Sequence, residues 1–298
     1  MLLKNLIKLS TKKFNKLDIK GLSSNSSNVK KGFIFFAIKG NESNGEKYIN
    51  QAIIKGAVCI VCSKNCKFKN DKIAVIKKEN TRKSLSEVAS KFYKLKPRNI
   101  IAVTGTNGKT SVADFFYQIL NINNIPAASI GTLGVKYNNK ITKSNLTTPD
   151  TIMLHRTLEK LKKKNINNVI IEASSHGLHQ NRLDHINFKA GIFTNFSQDH
   201  LDYHKTMKAY LNSKLNLFSK LLPKKSFIIS DKLNKQFLIL KKISKKKKLK
   251  IFDITDIIKQ IKNNSESLLG YFQKKNLSMA ILAAQLCGAN IIKIKKNL

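Results

Sequence analysis

The sequence predicts an α/β protein, a small N-terminal α/β domain followed by a P-loop domain whose mainly parallel sheet is flanked by helices. Three observations carry this. Apolar runs of strand length alternate with helical patterns along the chain, as buried parallel strands separated by helices require. The alternation breaks at "KPRN" (96–99), which divides residues 1–96 from 97–298. Finally, "IIAVTGTNGKTS" (100–111) turns from an apolar run into a helical pattern through two glycines and a Gly-Lys-Thr triplet. An open α/β sheet binds its ligands at such strand ends.

In the first domain "GFIFFAIKG" (32–40), "GAVCIVC" (56–62) and "KIAVIK" (72–77) read as strands. "GEKYINQAIIK" (45–55) reads as an amphipathic helix, and "TRKSLSEVASKFYKL" (81–95) as a helix capped by Thr81. In the second domain "NIIAVTG", "NNVIIEAS", "KAGIFTN", "KSFIISD" and "LKIFDI" are the strands, with helical segments between them. "KKISKKKKLK" (241–250) is the exposed end of a helix running into the last of these strands, and "KKNLSMAILAAQLCG" (274–288) is a final helix stopped by Gly288.

The net charge of +39 comes from 56 basic and 17 acidic residues, a balance that points first to nucleic acid or anionic membrane. Its make-up points elsewhere. Only Arg82, Arg98, Arg156 and Arg182 are arginines, the residue suited to bidentate phosphate and base contacts. The lysines are scattered and read as solvated faces, so neither nucleic acid nor membrane is expected as a partner. No stretch approaches the ~20 apolar residues of a membrane span, and the N-terminus lacks a secretory pattern. The expected compartment is the cytoplasm. Cys59, Cys62 and Cys66 have a C-x2-C-x3-C spacing, but they begin in an apolar strand whose side chains alternate between faces. With Cys287 they read as buried thiols of a reducing compartment.

The chemistry centres on the loop. Gly105 and Gly108 let successive N–H groups point inward, and the helix start adds about half a positive charge. Lys109 is placed to reach β- and γ-phosphates and Thr110 to ligate Mg2+; Gly105, Thr106, Asn107, Gly108, Lys109, Thr110 and Ser111 form the ATP or GTP site. The longer phosphate-loop spacing would need glycine at 103, where Val103 stands. All six histidines fall between 155 and 204. Two strand ends supply "EASSHGLHQNR" (172–182) and "TNFSQDHLDYH" (194–204), offering Glu172, Ser174, His176, Gln180 and Arg182, then Asn195, Asp199, His200, Asp202 and His204. A zinc site on His200 and His204 lacks the adjoining Glu of H-E-x-x-H, so Mg2+ beside a nucleotide fits better.

Together "GTNGKTS", "LTTPD", "EASSHGLHQNR", "TNFSQDHLDYH" and "YLNSKLNLF" resemble the Mur ligases of peptidoglycan synthesis, above all the branch that adds the third amino acid. "GFIFFAIKG" and "NGEKYINQAIIKGA" extend the resemblance into the first domain, which it marks as UDP-muramyl-binding. It implies a monomeric, ATP- and Mg2+-dependent ligase that joins meso-diaminopimelate to UDP-MurNAc-L-Ala-D-Glu through an acyl phosphate. By the family pattern Lys109, Glu172, His200 and Lys214 are catalytic. Thr110 and Glu172 serve one magnesium, His200 a second, and Lys214 is carbamylated and ligates metal. Asn276 matches an adenine contact. Thr147, Thr148, Ser174, Gln180 and Arg182 match positions that hold the muramyl peptide. Ser24, Ser26, Asn41, Glu42 and Ser43 match the uridine site, where the family's Asp-Ser-Arg reads Asn25, Ser26, Ser27.

The family also implies a third domain with an Asp-Asn-Pro-Arg type motif that binds the incoming amino acid. Residues 1–298 contain no such motif, so this chain is expected to bind nucleotide and muramyl substrate but to ligate poorly alone. Rival readings are a folylpolyglutamate-type ligase and a basic nucleic-acid-binding P-loop protein.

Overall fold

The computed structural model describes residues 1–8, 12–40, 43–262 and 270–290, with Lys262 described by its backbone alone. Asn41 and Glu42, matched above to the uridine site, lie outside the described residues. The chain divides into two compact units, Met1–Lys94 with Thr151–Arg156, and Leu95–Asp150 with Thr157–Leu298.

The first unit holds α1 (Leu3–Leu6), β1 (Gly21–Ser23), β2 (Phe33–Phe36), α2 (Ile49–Ile54), β3 (Ala57–Ser63), β4 (Ala74–Lys78) and α3 (Thr81–Phe92). Its four strands are parallel, in the order β1-β2-β3-β4. Side chains alternate across this sheet. Ile34, Phe36, Cys59 and Val61 join Leu85, Val88 and Ala89 of α3 in one cluster, while Phe35, Ile60 and Cys62 join Ile49 and Ala52 of α2 in the other. Cys59 and Cys62 therefore face opposite sides, and burial pushes the Cys62 thiol up to about 12. They are packing residues.

Two local expectations are corrected. Asn80, not Thr81, caps α3: its side chain accepts a hydrogen bond from the Lys83 N–H, and Thr81 is already helical. The segment read as one amphipathic helix opens as a 3-10 turn, Gly45–Tyr48, capped by Asn44, before α2 begins. The strand β1 was not anticipated, since three residues carry no periodicity.

The second unit contains β5 (Asn99–Thr104), α4 (Lys109–Ile122), β6 (Ala127–Gly131), β7 (Gly134–Tyr137), β8 (Lys140–Thr142) and most of α5 (Thr151–Lys163). It continues with β9 (Asn168–Glu172), α6 (Ser175–His179), β10 (Ala190–Phe193), α7 (Leu201–His204) and α8 (Met207–Asn216). A π turn, Leu217–Leu221, extends α8. Then come β11 (Phe227–Ser230), α9 (Phe237–Lys247), β12 (Lys250–Asp253), α10 (Thr255–Lys262) and α11 (Tyr271–Leu286).

The eight strands run β12-β11-β10-β5-β9-β6-β7-β8, parallel from β12 to β6 and antiparallel from β6 to β8. The five anticipated strands form one side and the centre of this sheet. The hairpin β6–β7 and its neighbour β8 were not anticipated; "AASIG" is poor in strand formers, and pairing with β9 makes it a strand. Helices α4 and α11 cover the sheet through Phe116, Leu120, Leu277, Ala280 and Ala284. The chain leaves β5 for β6 and β9 on one side, then returns to β10 on the other. Pairing sets Val103 level with Glu172 and Thr104 level with Phe193, so the ends of β5, β9 and β10 meet beside the loop. Among the described residues no helix is long and apolar enough to cross a membrane.

Candidate functional site

The loop departs from β5 at Gly105, whose φ is +149°, and ends at Gly108, the N-cap of α4, with φ +84°. Neither position admits a side chain: a Cβ on Gly105 would strike Thr194 Oγ1, and one on Gly108 would lie 2.5 Å from Asn276 Oδ1. Val103 occupies the place of the longer motif's glycine because β5 continues through Thr104, with Val103 buried in the core. The end of β10 clamps the loop. Thr194 Oγ1 donates to Asn107 O at 2.6 Å, Asn195 Oδ1 accepts from Asn107 N at 2.9 Å, and Asn195 O accepts from Thr106 N at 3.0 Å.

Two lysines converge on one carbonyl. Lys109 Nζ donates to Gly105 O at 2.9 Å and to Thr106 O at 2.6 Å, while Lys214 Nζ donates to Gly105 O at 2.7 Å. Lys214 is 1% exposed, lies over the Tyr210 ring at 4.3 Å, and has no ion pair among the described residues. Burial, reinforced by the Lys109 cation and opposed by Asp199, lowers its pKa to about 7. Burial also lowers that of Lys109, against the pull of Glu172 and Asp199.

Glu172 ends β9 and is 2% exposed. Its Oε2 accepts from Thr110 Oγ1 at 2.9 Å and from Thr132 Oγ1 at 3.1 Å, and its Oε1 accepts from Thr132 N at 3.0 Å. One step along, Thr148 Oγ1 donates to Glu172 O at 2.6 Å and meets Ser174 Oγ at 2.9 Å. Ser174 caps α6 by accepting from Gly177 N. Arg182 donates to Thr148 O at 2.7 Å and to Gln180 Oε1 at 2.8 Å. The structure thus brings Thr148, Ser174, Gln180 and Arg182 into one hydrogen-bonded group.

The histidines cluster as well. His176 packs edge-on against His200, with ring centroids 5.0 Å apart, and lies 4.1 Å from the Tyr203 ring and 5.6 Å from His204. His204 is buried with no partner for Nε2; burial first, then the neighbouring His176, His179 and His200, lowers its pKa to about 4. That ring is a neutral packing group. His200, in left-handed backbone beside Asp199, lies on the wall of the cleft. No group of three or more His, Cys, Asp or Glu among the described residues is arranged as a metal cluster.

A cleft of about 290 Å³ is lined by Lys109, Thr110, Thr147, Glu172, His200 and Lys214 together with the loop. A second hollow shares Asn107 and Gly108 with it and is lined by Asn195, Asn234, Phe272, Lys275 and Asn276. Ser24 and Ser43 are exposed in the first unit, and Ser26 is buried with its hydroxyl donating to Gln51 Oε1 at 2.7 Å. Sequence reading missed Thr132, Thr194, Tyr210, Asn234 and Phe272. For Thr132 the available signal was its place after the apolar "AASIG", at an unrecognised strand end.

A glycine-rich loop opening a helix beside the sheet's central strand, flanked by the buried Glu172 and Lys214 and the half-buried Lys109, defines an α/β protein with a phosphate-loop-like turn. Comparison with known proteins narrows this. The "Mur ligase middle domain" family model matches residues 103–284, and "Mur ligase family, catalytic domain" matches 18–93. The chain belongs to the Mur ligase family. It is 42% identical over 208 residues to a UDP-N-acetylmuramoyl-L-alanyl-D-glutamate--2,6-diaminopimelate ligase of Brucella melitensis, covering 70% of this chain and 43% of that one. It is 37% identical over 300 residues to the enzyme of the same name from Rickettsia montanensis, covering 92% and 62%. A solved structure of a ligase with that name shares the fold, with a TM-score of 0.84 and 24% identity over 99% of this chain and 66% of that one. The chain thus spans about two-fifths of the Brucella relative's length.

Proposed function

We propose that this chain carries the ATP-binding and muramyl-peptide-binding parts of an amide ligase of peptidoglycan precursor synthesis. The ligase joins meso-diaminopimelate to UDP-MurNAc-L-Ala-D-Glu. One observation carries the reading: Lys109, Thr110, Glu172, His200 and Lys214 line a single cleft at the phosphate loop. The relatives' names supply the substrates.

In the reaction a substrate carboxylate oxygen forms a bond to the γ-phosphorus, and the bond to the β,γ-bridging oxygen breaks, leaving ADP and an acyl phosphate. The amine nitrogen then bonds to the acyl carbon, phosphate leaves, and the nitrogen loses a proton. Two anions must meet in the first step, so positive charge has to be fixed in advance. Loop N–H groups and the α4 N-terminus supply part of it. Lys109, now spending its protons on the Gly105 and Thr106 carbonyls, turns to the phosphates when they arrive.

The residues present fit Mg2+: Glu172 and Thr110 offer adjacent hard oxygens beside the loop, and His200 lines the same cleft. Mg2+ bound there would neutralise phosphate oxygens. Lys214 joins this set only after modification, because a protonated amine cannot ligate. Its neutral Nζ adds to the carbon of CO2, forming an N–C bond and releasing one proton. The product carries a carboxylate-like group where a cation stood. That reversal also relieves the repulsion between two lysines held on one carbonyl.

The second-sphere geometry gives a specific prediction. A Cβ at Gly131 would overlap the Glu172 carboxylate. Gly131→Ala is therefore expected to weaken Mg2+-dependent nucleotide binding about 10- to 100-fold, leaving binding in EDTA unchanged. Calorimetric titration in both buffers checks it.

Calorimetry also tests the function. ATP with Mg2+, and UDP-MurNAc-L-Ala-D-Glu, should each bind the 298-residue chain, and hydroxylamine should trap a hydroxamate when all are present. Binding of neither ligand, with steeply salt-dependent DNA affinity in their place, defeats the proposal.

A further inference from the structure

We propose that Thr132 is a positioning residue that couples the nucleotide side of the cleft to the substrate-carboxylate side. It does so through a chain of hydroxyls whose direction follows the charge that Glu172 presents. This rests on the function proposed above, with Glu172 as a metal ligand and Thr147 on the muramyl substrate.

The position is set by the backbone. Gly131 pairs with Gly134 across the β6–β7 hairpin, so Thr132 is the first of only two turn residues. Gly134 has φ +98°, and a Cβ there would strike Thr142 O, which keeps the turn tight. The turn aims the Thr132 N–H at Glu172 Oε1 and its hydroxyl at Oε2, 3.0 and 3.1 Å away. Its Oγ1 also lies 3.1 Å from Thr147 Oγ1. A row of groups results, Thr110–Glu172–Thr132–Thr147, all lining one cleft.

Counting protons fixes the direction of this row. A threonine hydroxyl has one hydrogen, and an ionised carboxylate only accepts. While Glu172 is a free anion, Thr132 spends its hydrogen on Oε2. The contact between the two threonines then requires Thr147 to donate to Thr132. Thr147 is left facing the cleft with lone pairs alone, which repels an incoming carboxylate.

A cation beside Glu172 draws off that negative charge and weakens its claim on the Thr132 hydrogen. The Thr132 hydroxyl can then turn to donate to Thr147 Oγ1. Thr147 is freed to donate its own hydrogen to a substrate carboxylate. Cation and nucleotide on one side thus prepare the carboxylate site on the other, without movement of the backbone. Thermodynamic linkage requires the reverse effect to be equal.

The test measures the affinity of the 298-residue chain for UDP-MurNAc-L-Ala-D-Glu by calorimetry, with and without β,γ-imido-ATP and Mg2+. In the wild type the nucleotide should tighten muramyl binding at least about fivefold, within the usual range of coupling between sites. Thr132→Val keeps the shape and removes the hydroxyl; the ratio should fall to about one, and Thr132→Ser should restore it. Thr147→Val, which cuts the row at its other end, should also bring the ratio to one. A merely structural Thr132 would weaken both ligands and leave their ratio alone. Persistence of the wild-type ratio in Thr132→Val or Thr147→Val, or a wild type that binds both ligands without coupling, overturns the inference. A wild type that binds neither ligand overturns the proposed function instead.

Discussion

Lys109→Ala is expected to lower ATP affinity about 100- to 1,000-fold while leaving the fold intact. A hydrogen bond to a charged partner is worth about 1.5–3 kcal/mol, and in the proposed function this ammonium serves two phosphates. Lys109→Arg should rescue little, because the amine is folded into a tight loop against the Gly105 and Thr106 carbonyls, where a planar fork has no matching geometry. The variant has a second, diagnostic effect. Lys109 is one cause of the depressed Lys214 pKa, so its removal should move the Lys214 titration upward. Carbon-13 NMR with labelled bicarbonate reads that shift as carbamate forming at higher pH. Unchanged ATP affinity by calorimetry defeats the role given to Lys109.

Lys214→Met is expected to stabilise the protein in CO2-free buffer while abolishing the carbamate and the hydroxamate that hydroxylamine would trap. The wild-type amine is almost fully buried over the Tyr210 ring and has no carboxylate partner among the described residues. Replacing buried ionic groups by apolar ones commonly gains about 1–4 kcal/mol. In a domain of this size each kcal/mol moves Tm by about 2–4 °C. The pH dependence follows from the titration of Lys214. Its native pKa is about 7 against an ordinary value of 10.5, so between these limits the unfolded chain binds more protons. Wild-type stability from this group is therefore lowest below pH 7 and rises toward 10.5. The advantage of Lys214→Met should be greatest below pH 7 and shrink as pH rises. Thermal unfolding across that range checks the trend. In the wild type the carbamate signal should grow as pH rises through about 7, since only the neutral amine adds CO2. A signal that survives in Lys214→Met places the modification elsewhere.

Much of the second unit was legible because its signals are local. Val103 and its neighbours form a buried run, two glycines follow, and Lys109 opens a helix, so strand, loop and helix could be placed from spacing alone. The parallel strands beyond β9 were legible for the same reason. Capping was less so: Asn80 and Thr81 both suit a cap, and only the hydrogen bond to Lys83 N separates them. The hairpin β6–β7 escaped because Ala127, Ala128 and Gly131 say little about strands until β9 lies beside them.

The sequence by itself determined the family, the phosphate loop and the residue types the chemistry needs. Each is written in short runs, where the spacing of side chains along one element decides the outcome. Only the tertiary structure decided why Lys214 titrates abnormally and what holds the carboxylate. Lys214 is one of many lysines, and its depressed pKa comes from burial, which is invisible without packing, and from Lys109, which is distant in sequence. Thr132 lies 40 residues from Glu172 and reaches it only because a two-residue turn places it at the end of a neighbouring strand. Desolvation and hydrogen bonding depend on what surrounds a group in space, and chain order does not record that.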